Sequence, residues 1–269
     1  MKCLFCKQNS EYSISVEHII PESLGNKDHI LSKGIVCDGC NQYFAVKVEK
    51  PLLEQQYFKN VRHRAGIESK KGRIPFEKVI ILGKEIASAE LTFGKNNSLL
   101  FNSDDEEKLM KAFSGKKGSM IIPIVSEPEK DNKALSRFLA KAAVEVLLYK
   151  FIYMEGWLEE VMNHPQLEDL KKYARYGAGV NFWPYHQRRI YTEETRFNDP
   201  KIRIENYEVL HEFTILITRE SEYYFVLAIM GIEYTLNIAG PELEGYHKWL
   251  EENPGKSPLD DPNEQKIIQ

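Results

Sequence analysis

The sequence predicts an α+β protein in two parts: a small N-terminal metal-bound module of two short strands and a helix, then a larger α+β domain. Three observations carry this. All four cysteines fall within the first 40 residues, as the pairs Cys3/Cys6 and Cys37/Cys40. A basic connector with glycine and proline, "ESKKGRIPFEK", follows at 68–78. Beyond it, β-branched apolar runs alternate with amphipathic helical stretches. The expected organisation is a module at 1–67, a linker at 68–78, an α+β domain at 79–253 and a disordered tail at 254–269.

Each element follows from local chemistry. "YSISVEHII" has the β-branched content of a strand. "GNKDHILSKG" reads as a loop and "GIVC" as a second short strand. "CNQYFAVKVEKPLLEQQYFKNVRHRAG" reads as helix in two pieces, with Pro51 opening the second, because proline is tolerated in a first turn and not in a helix interior. "VIILGKEIASAELTFGKNNSLLF" gives strands joined by a turn at 94–97. "SDDEEKLMKAFSG" is a helix with Ser103 as N-cap, an acidic first turn and a stop at Gly115. "SMIIPIV" is a strand. The longest helix, "DNKALSRFLAKAAVEVLLYKFIYMEG", places Leu135, Phe138, Leu139, Ala142, Ala143, Val146, Leu147 and Ile152 at spacings of three and four, a core-facing stripe. "GWLEEVMNHPQLEDLKKYARYG" is helical with a break near Pro165. "EFTILITRESEYYFVLAIMGIEYTLNIAG" supplies two or three strands, and "PELEGYHKWLEEN" a last short helix. The polar stretch from Pro254 reads as disordered.

Composition narrows the function classes. With 42% apolar residues the chain can bury a sizeable core. A net charge of −4 excludes a uniformly basic nucleic-acid coat, but the charge is uneven. Residues 1–75 hold twelve Lys and Arg against eight Asp and Glu, and the remainder holds 24 against 32. The N-terminal part is the one suited to a polyanion. "MKCLFCKQNS" turns polar too soon for a secretory signal, and Arg137, Lys141, Glu145 and Lys150 interrupt the most apolar helix, so no membrane span is expected. The expected compartment is the cytoplasm, where four cysteines point to metal rather than to disulfides.

Two Cys-x-x-Cys pairs that use every cysteine are the spacing of a tetrahedral four-thiolate zinc site. Four protein ligands leave no open position, so that ion is structural. Between the pairs lies "EHIIP", with His18, and Asn41 directly follows the last cysteine.

The combined pattern C-L-F-C…E-H-I-I-P…G-I-V-C-D-G-C-N resembles the HNH endonuclease family, in its zinc-stapled subgroup, over about residues 1–55. The resemblance implies a ββα-metal active site that hydrolyses DNA phosphodiesters. It implies His18 as the general base that deprotonates a water, and Glu17 and Asn41 as ligands of a divalent metal, Mg²⁺ or Mn²⁺. The residue types suit the chemistry. Attack on an anionic phosphodiester needs a base, a Lewis acid and a cationic surround, and carboxylate and amide oxygens suit hard cations. Competing uses are a packed histidine, a surface carboxylate and a helix N-cap at Asn41. Residues 17 and 18 point to opposite faces of an extended strand, so joint action needs a bend or a metal near the strand edge. The sequence departs from the family where many relatives carry an asparagine that orients the base. Ser32 stands there, and Asn26 is the substitute from the loop. Ala45 stands where some relatives have a further histidine ligand, and Glu49 is a minor extra ligand candidate.

"KNVRHRAGIESKKGR" offers Lys59, Arg62, Arg64, Lys70, Lys71 and Arg73 as phosphate contacts. "NFWPYHQRRIYTEETRF" mixes aromatics with Arg188 and Arg189 and reads either as a base-stacking segment or as a partly buried loop. DNA is the expected partner, RNA satisfies the same motif, and a homodimer through residues 76–269 is expected from the apolar helix and strands. The alternative to a nuclease is a catalytically silent zinc module that binds nucleic acid or protein. No residue in 79–253 reveals that region's role.

Overall fold

The chain divides into two units whose segments alternate in sequence. One holds Met1–Pro21, Asn26–Leu52 and Glu129–Gln269, and the other holds Glu22–Gly25 and Leu53–Pro128. The computed structural model describes residues 1–69, 71–94, 98–115, 117–198, 207–260 and 265–267. The expected linker at 68–78 lies inside the second unit, and residues 1–52, apart from 22–25, share a unit with the C-terminal half. The α+β class holds.

The N-terminal segment opens with β1 (Glu17–His18) and β2 (Ile30–Leu31), antiparallel, with Glu17 opposite Leu31 and His18 opposite Ile30. β2 lies in the stretch expected as a loop. "GIVC" is a turn instead: Gly34 has φ 88 and Ile35 N–H donates to the Ser32 carbonyl. Strands of two residues carry no periodicity to read. α1 (Asp38–Phe44) runs through a π turn at Ala45–Glu49 into α2 (Lys50–Leu53). Pro51 therefore continues a helix that was expected to restart there. A proline has no N–H for the ladder, and the wider π turn just before it accommodates that defect.

The second unit contains α3 (Gln56–Arg64), β3 (Glu77–Leu82), β4 (Ile86–Phe93), β5 (Leu99–Asn102), α4 (Glu106–Phe113) and β6 (Ser119–Ile121). Its antiparallel sheet runs β5-β4-β3-β6. Alternate residues Val79, Ile81, Ala87, Ala89 and Leu91 bury one face with Leu109 and Ala112 of α4. The cap of α4 is Asp105, which accepts from Lys108 N–H, and Ser103 instead donates to the Ser88 carbonyl. Residues 95–97 of the expected turn lie outside the described residues. From α3, Gln56 and Asn60 donate to the buried Glu77 carboxylate.

The first unit resumes with α5 (Lys133–Phe151), capped by Asn132, whose Oδ1 accepts from Ala134 and Leu135 N–H. The expected stripe is buried from Leu135 to Leu147, with Ile152 half-buried just past the helix end, and Ala140, Val144 and Leu148 are buried as well. α5 is thus enclosed on nearly every side. It packs against the π turn, α6 (Trp157–Asn163), α7 (Glu168–Tyr176) and a sheet. The sheet orders β7 (His186–Arg189), β11 (Ile232–Asn237), β10 (Tyr223–Ile229) and β9 (His211–Ile217), all antiparallel. β8 (Arg196–Asn198) pairs with β12 (Gln265–Ile267), and α8 (Glu244–Glu252) precedes the tail. Ser257, in the segment expected to be disordered, is buried and donates to Glu233. Among the described residues no helix is long and apolar enough to cross a membrane.

Candidate functional site

The sulfurs of Cys3, Cys6, Cys37 and Cys40 all lie within 4.8 Å of one another. Zinc bound at about 2.3 Å to four sulfurs would set them roughly 3.8 Å apart. Cys6 Sγ and Cys37 Sγ are 3.6 Å apart, so the cluster fits a tetrahedral ion. Local backbone builds it. Lys7 takes a left-handed φ of 59 and donates its N–H to the Cys3 carbonyl, closing the first knuckle. Cys37 caps α1 and accepts from Cys40 N–H at 3.4 Å, and Cys37 N–H donates to Cys3 Sγ at 3.3 Å. The Cys3 thiol is pulled down to about 4 by its hydrogen bond with Cys40, against the opposing effect of burial. The same bond, with burial, pushes Cys40 up. Sulfurs this close share protons unless a cation compensates their charge, which is the electrostatic demand a zinc ion meets.

β1, which carries His18, falls between the two cysteine pairs in sequence. Asn41, in the first turns of α1, donates Nδ2 to the Val16 carbonyl at 3.0 Å. That bond docks the helix onto the strand one residue before Glu17 and leaves Oδ1 as a donor atom for a ligand. The helix cap is Cys37, so Asn41 is not committed to capping. Asp38, which the sequence did not single out, accepts the N–H groups of Ile14 and Ser15 and the Ser15 hydroxyl, holding the approach to β1. The Ser15 bonds lower its carboxyl.

β1 alternates in the ordinary way. Glu17 is 4% exposed and opposite the buried Leu31, whereas His18 is half-buried and opposite Ile30, which is 41% exposed. Glu17 meets Lys141 of α5: Oε1 lies 2.7 Å from Nζ. Lys141 is fully buried and also donates to the His18 carbonyl at 2.9 Å. Glu49 Oε1 and Glu145 Oε2 each lie 3.1 Å from the same nitrogen. Burial alone would lower the Lys141 pKa, but Glu145, Glu17 and Glu49 outweigh it and hold the ammonium well above its ordinary value. Burial raises Glu145 well above the usual carboxylate range, with Lys141 opposing. Neither lysine nor glutamate could be picked out of the α5 sequence, where they read only as interruptions of an apolar stripe.

Asn26, the loop substitute, is buried. Its Nδ2 donates to the Ile20 and His29 carbonyls, and its Oδ1 accepts from Asp28 and His29 N–H. It therefore pins the β1–β2 loop through main-chain groups. Ser32 is exposed, and its carbonyl receives Ile35 N–H.

Of the expected phosphate contacts, Arg64, Lys71 and Arg73 are exposed and Lys59 is half-buried. Arg62 is 8% exposed, and burial lowers its pKa, so it is withdrawn from the basic surface. Lys70 lies outside the described residues. Arg188 is likewise engaged internally, donating Nε to Glu233 Oε1 at 2.6 Å. Trp183 is buried, so this stretch follows the partly buried reading.

Residues 3–57 match the family model described as HNH endonuclease, a span that includes the four cysteines, His18 and Asn41. No curated protein and no solved structure matches the chain significantly.

Proposed function

We propose that the HNH domain makes this chain a metal-dependent endonuclease that hydrolyses DNA phosphodiester bonds at His18. The observation that carries the reading is the Asn41–Val16 bond, which seats the helix of the matched segment on the strand bearing His18, beside the cysteine cluster. Cys3, Cys6, Cys37 and Cys40 hold structural zinc. His18 is the general base, since a neutral imidazole can accept a proton from water. Glu17 and Asn41 hold the divalent cation, Mg²⁺ or Mn²⁺. Their oxygens are the hard donors such an ion takes, and Glu17 has a second oxygen besides the one on Lys141. That ion, when bound, supplies charge neutralisation at the phosphate and the leaving oxygen. Arg64, Lys71, Arg73 and Lys59 are the cations offered to the nucleic-acid backbone. RNA in place of DNA, a homodimer and a cytoplasmic location belong to the same reading.

A second reading, a catalytically silent zinc module, is favoured by one feature: the Glu17 carboxylate is buried against Lys141. The test is a supercoiled plasmid incubated with the zinc-loaded chain. The nuclease reading expects nicking in Mg²⁺ or Mn²⁺ and none in a chelator that leaves the zinc in place. Plasmid, single strands and RNA all left intact would favour the silent module.

A further inference from the structure

We propose that Lys141 is a positioning residue of this site: its ammonium ties the Glu17 carboxylate and the His18 carbonyl to one atom, and so fixes the backbone step that aims the His18 imidazole. The consequence for catalysis rests on the nuclease reading, but the geometry does not.

β1 and β2 are two residues long, and a ladder that short fixes its strands weakly. Glu17 and His18 are adjacent and present their side chains to opposite faces. One bond to a side chain at 2.7 Å and one to a main-chain carbonyl at 2.9 Å therefore remove the freedom of the peptide between them. The same nitrogen reaches Glu49 on the π turn, so strand and helix of the HNH domain are referenced to one point on α5. An ammonium has three N–H donors, and four oxygens surround this one.

The choice of residue supports a specific use. Ala140, Ala142, Ala143 and Val144 surround Lys141 on α5, and all are fully buried. A methionine of similar length would pack there without burying a charge, and buried ion pairs are commonly no better for stability than apolar replacements. A cation at this position is instead suited to specifying one geometry, because it gathers a side-chain oxygen and a main-chain carbonyl of adjacent residues on one atom.

The experiment uses the full-length, zinc-loaded chain. Lys141→Met alone would strand the fully buried Glu145 carboxylate of the same helix, so the variant is Lys141→Met/Glu145→Gln, compared with Glu145→Gln, which retains the ammonium and its bonds to Glu17 and His18. Zinc content and a cooperative melt establish the fold of each. The first readout is the His18 ring signal in a chain labelled at its histidine ring carbons, assigned by its disappearance in His18→Ala. The second is plasmid nicking at saturating Mn²⁺. The double variant is expected to move the His18 signal relative to Glu145→Gln while those of His164 and His247 stay. Turnover should fall about tenfold to a hundredfold at unchanged half-saturating DNA, the scale of a misplaced catalytic group. An unmoved His18 signal with unchanged turnover overturns the proposal. If wild-type protein cleaves no nucleic acid, the nuclease reading fails by itself and the His18 signal alone decides: a shift supports the positioning role, and no shift overturns it. Should the double variant not melt cooperatively, Lys141→Arg, which keeps the charge and displaces the donors, carries the same readouts with the same outcomes.

Discussion

Arg175 Nε lies 3.2 Å from Cys40 Sγ, a contact between residues 135 apart in sequence, and its guanidinium stacks on the Tyr43 ring at 3.5 Å. An N–H donor on a ligand sulfur spreads the thiolate charge and orients the ligand. Arg175→Ala should weaken zinc binding about tenfold to a hundredfold, the usual effect of losing such a partner. Competition with a chromogenic chelator measures it. An unchanged zinc affinity would show that the arginine serves the Tyr43 and Tyr176 rings and not the cysteine.

The purified chain should carry about one zinc, held by four thiolates. From the sequence, losing it through Cys37→Ser would unfold the N-terminal module and spare the C-terminal part. The structure changes that expectation, because Lys7 pairs with Glu168, Arg175 with Cys40 and Lys141 with Glu17 inside one unit. Cys37→Ser should therefore also raise hydrogen exchange in α5 and α7. Exchange confined to residues 1–52 would contradict this coupling.

His18→Ala should lower nicking by about 10²- to 10⁴-fold, the typical contribution of a general base, with plasmid binding retained. Asn41→Ala should raise the Mn²⁺ needed for half-maximal nicking and loosen the helix from Val16. Gel-based nicking across a Mn²⁺ series separates the two. A His18→Ala protein as active as wild type would remove His18 from the chemistry.

Glu17 is paired with Lys141 and is also the metal ligand proposed above. Glu17→Ala should destabilise the fold by about 1–3 kcal/mol, because Lys141 keeps only Glu49, Glu145 and the His18 carbonyl. Glu17→Gln retains an oxygen for Lys141 and should cost less stability while still raising the metal requirement. Urea denaturation and a Mn²⁺ titration of nicking check both. If neither variant shifts the metal requirement, Glu17 is an anchor for Lys141 and not a metal ligand.

Stability should fall as pH drops below about 6.5. Burial lowers the pKa of His29, which packs on Phe213 at 4.7 Å, with Lys150 adding and Asp28 opposing. Burial also lowers His186, with His247 and Arg188 adding. The unfolded chain takes up protons at these residues in a window where the folded chain does not, so stability rises with pH there and is lost as pH falls toward the lowered values. The urea midpoint should be lower near pH 5.5 than near pH 7.5, and His29→Gln should flatten part of the difference. Equal midpoints at both pH values for wild type would show that these rings take up protons without cost in the folded state.

The clustering of the cysteine pairs was legible because its signal is spacing within a short span, and so were α5 and the break at Pro165, because helices of that length repeat their apolar pattern. β2 was not, since Ile30–Leu31 is too brief to show alternation. Lys141 was not either: its bond to the His18 carbonyl spans 123 residues, and a lysine in an apolar stripe looks locally like a surface residue. The burial of Arg62 escaped for the same reason, because a basic helix end does not reveal which face packs inward. The N-cap of α4 moved from Ser103 to Asp105 because both residues offer a short oxygen side chain near the start.

The split of the first unit in sequence has a consequence during protein synthesis. Residues 1–52 leave the ribosome before α5 exists, and the 76 residues of Leu53–Pro128 are made in between. Through that interval Glu17 and the His18 carbonyl lack Lys141, and Cys40 lacks Arg175. The cysteines can gather metal early, but the geometry at His18 is completed only after α5 has emerged. A nascent chain therefore lacks the Lys141 anchor at β1 until α5 is made, and on the nuclease reading proposed above this separates the making of the chain from the onset of its activity.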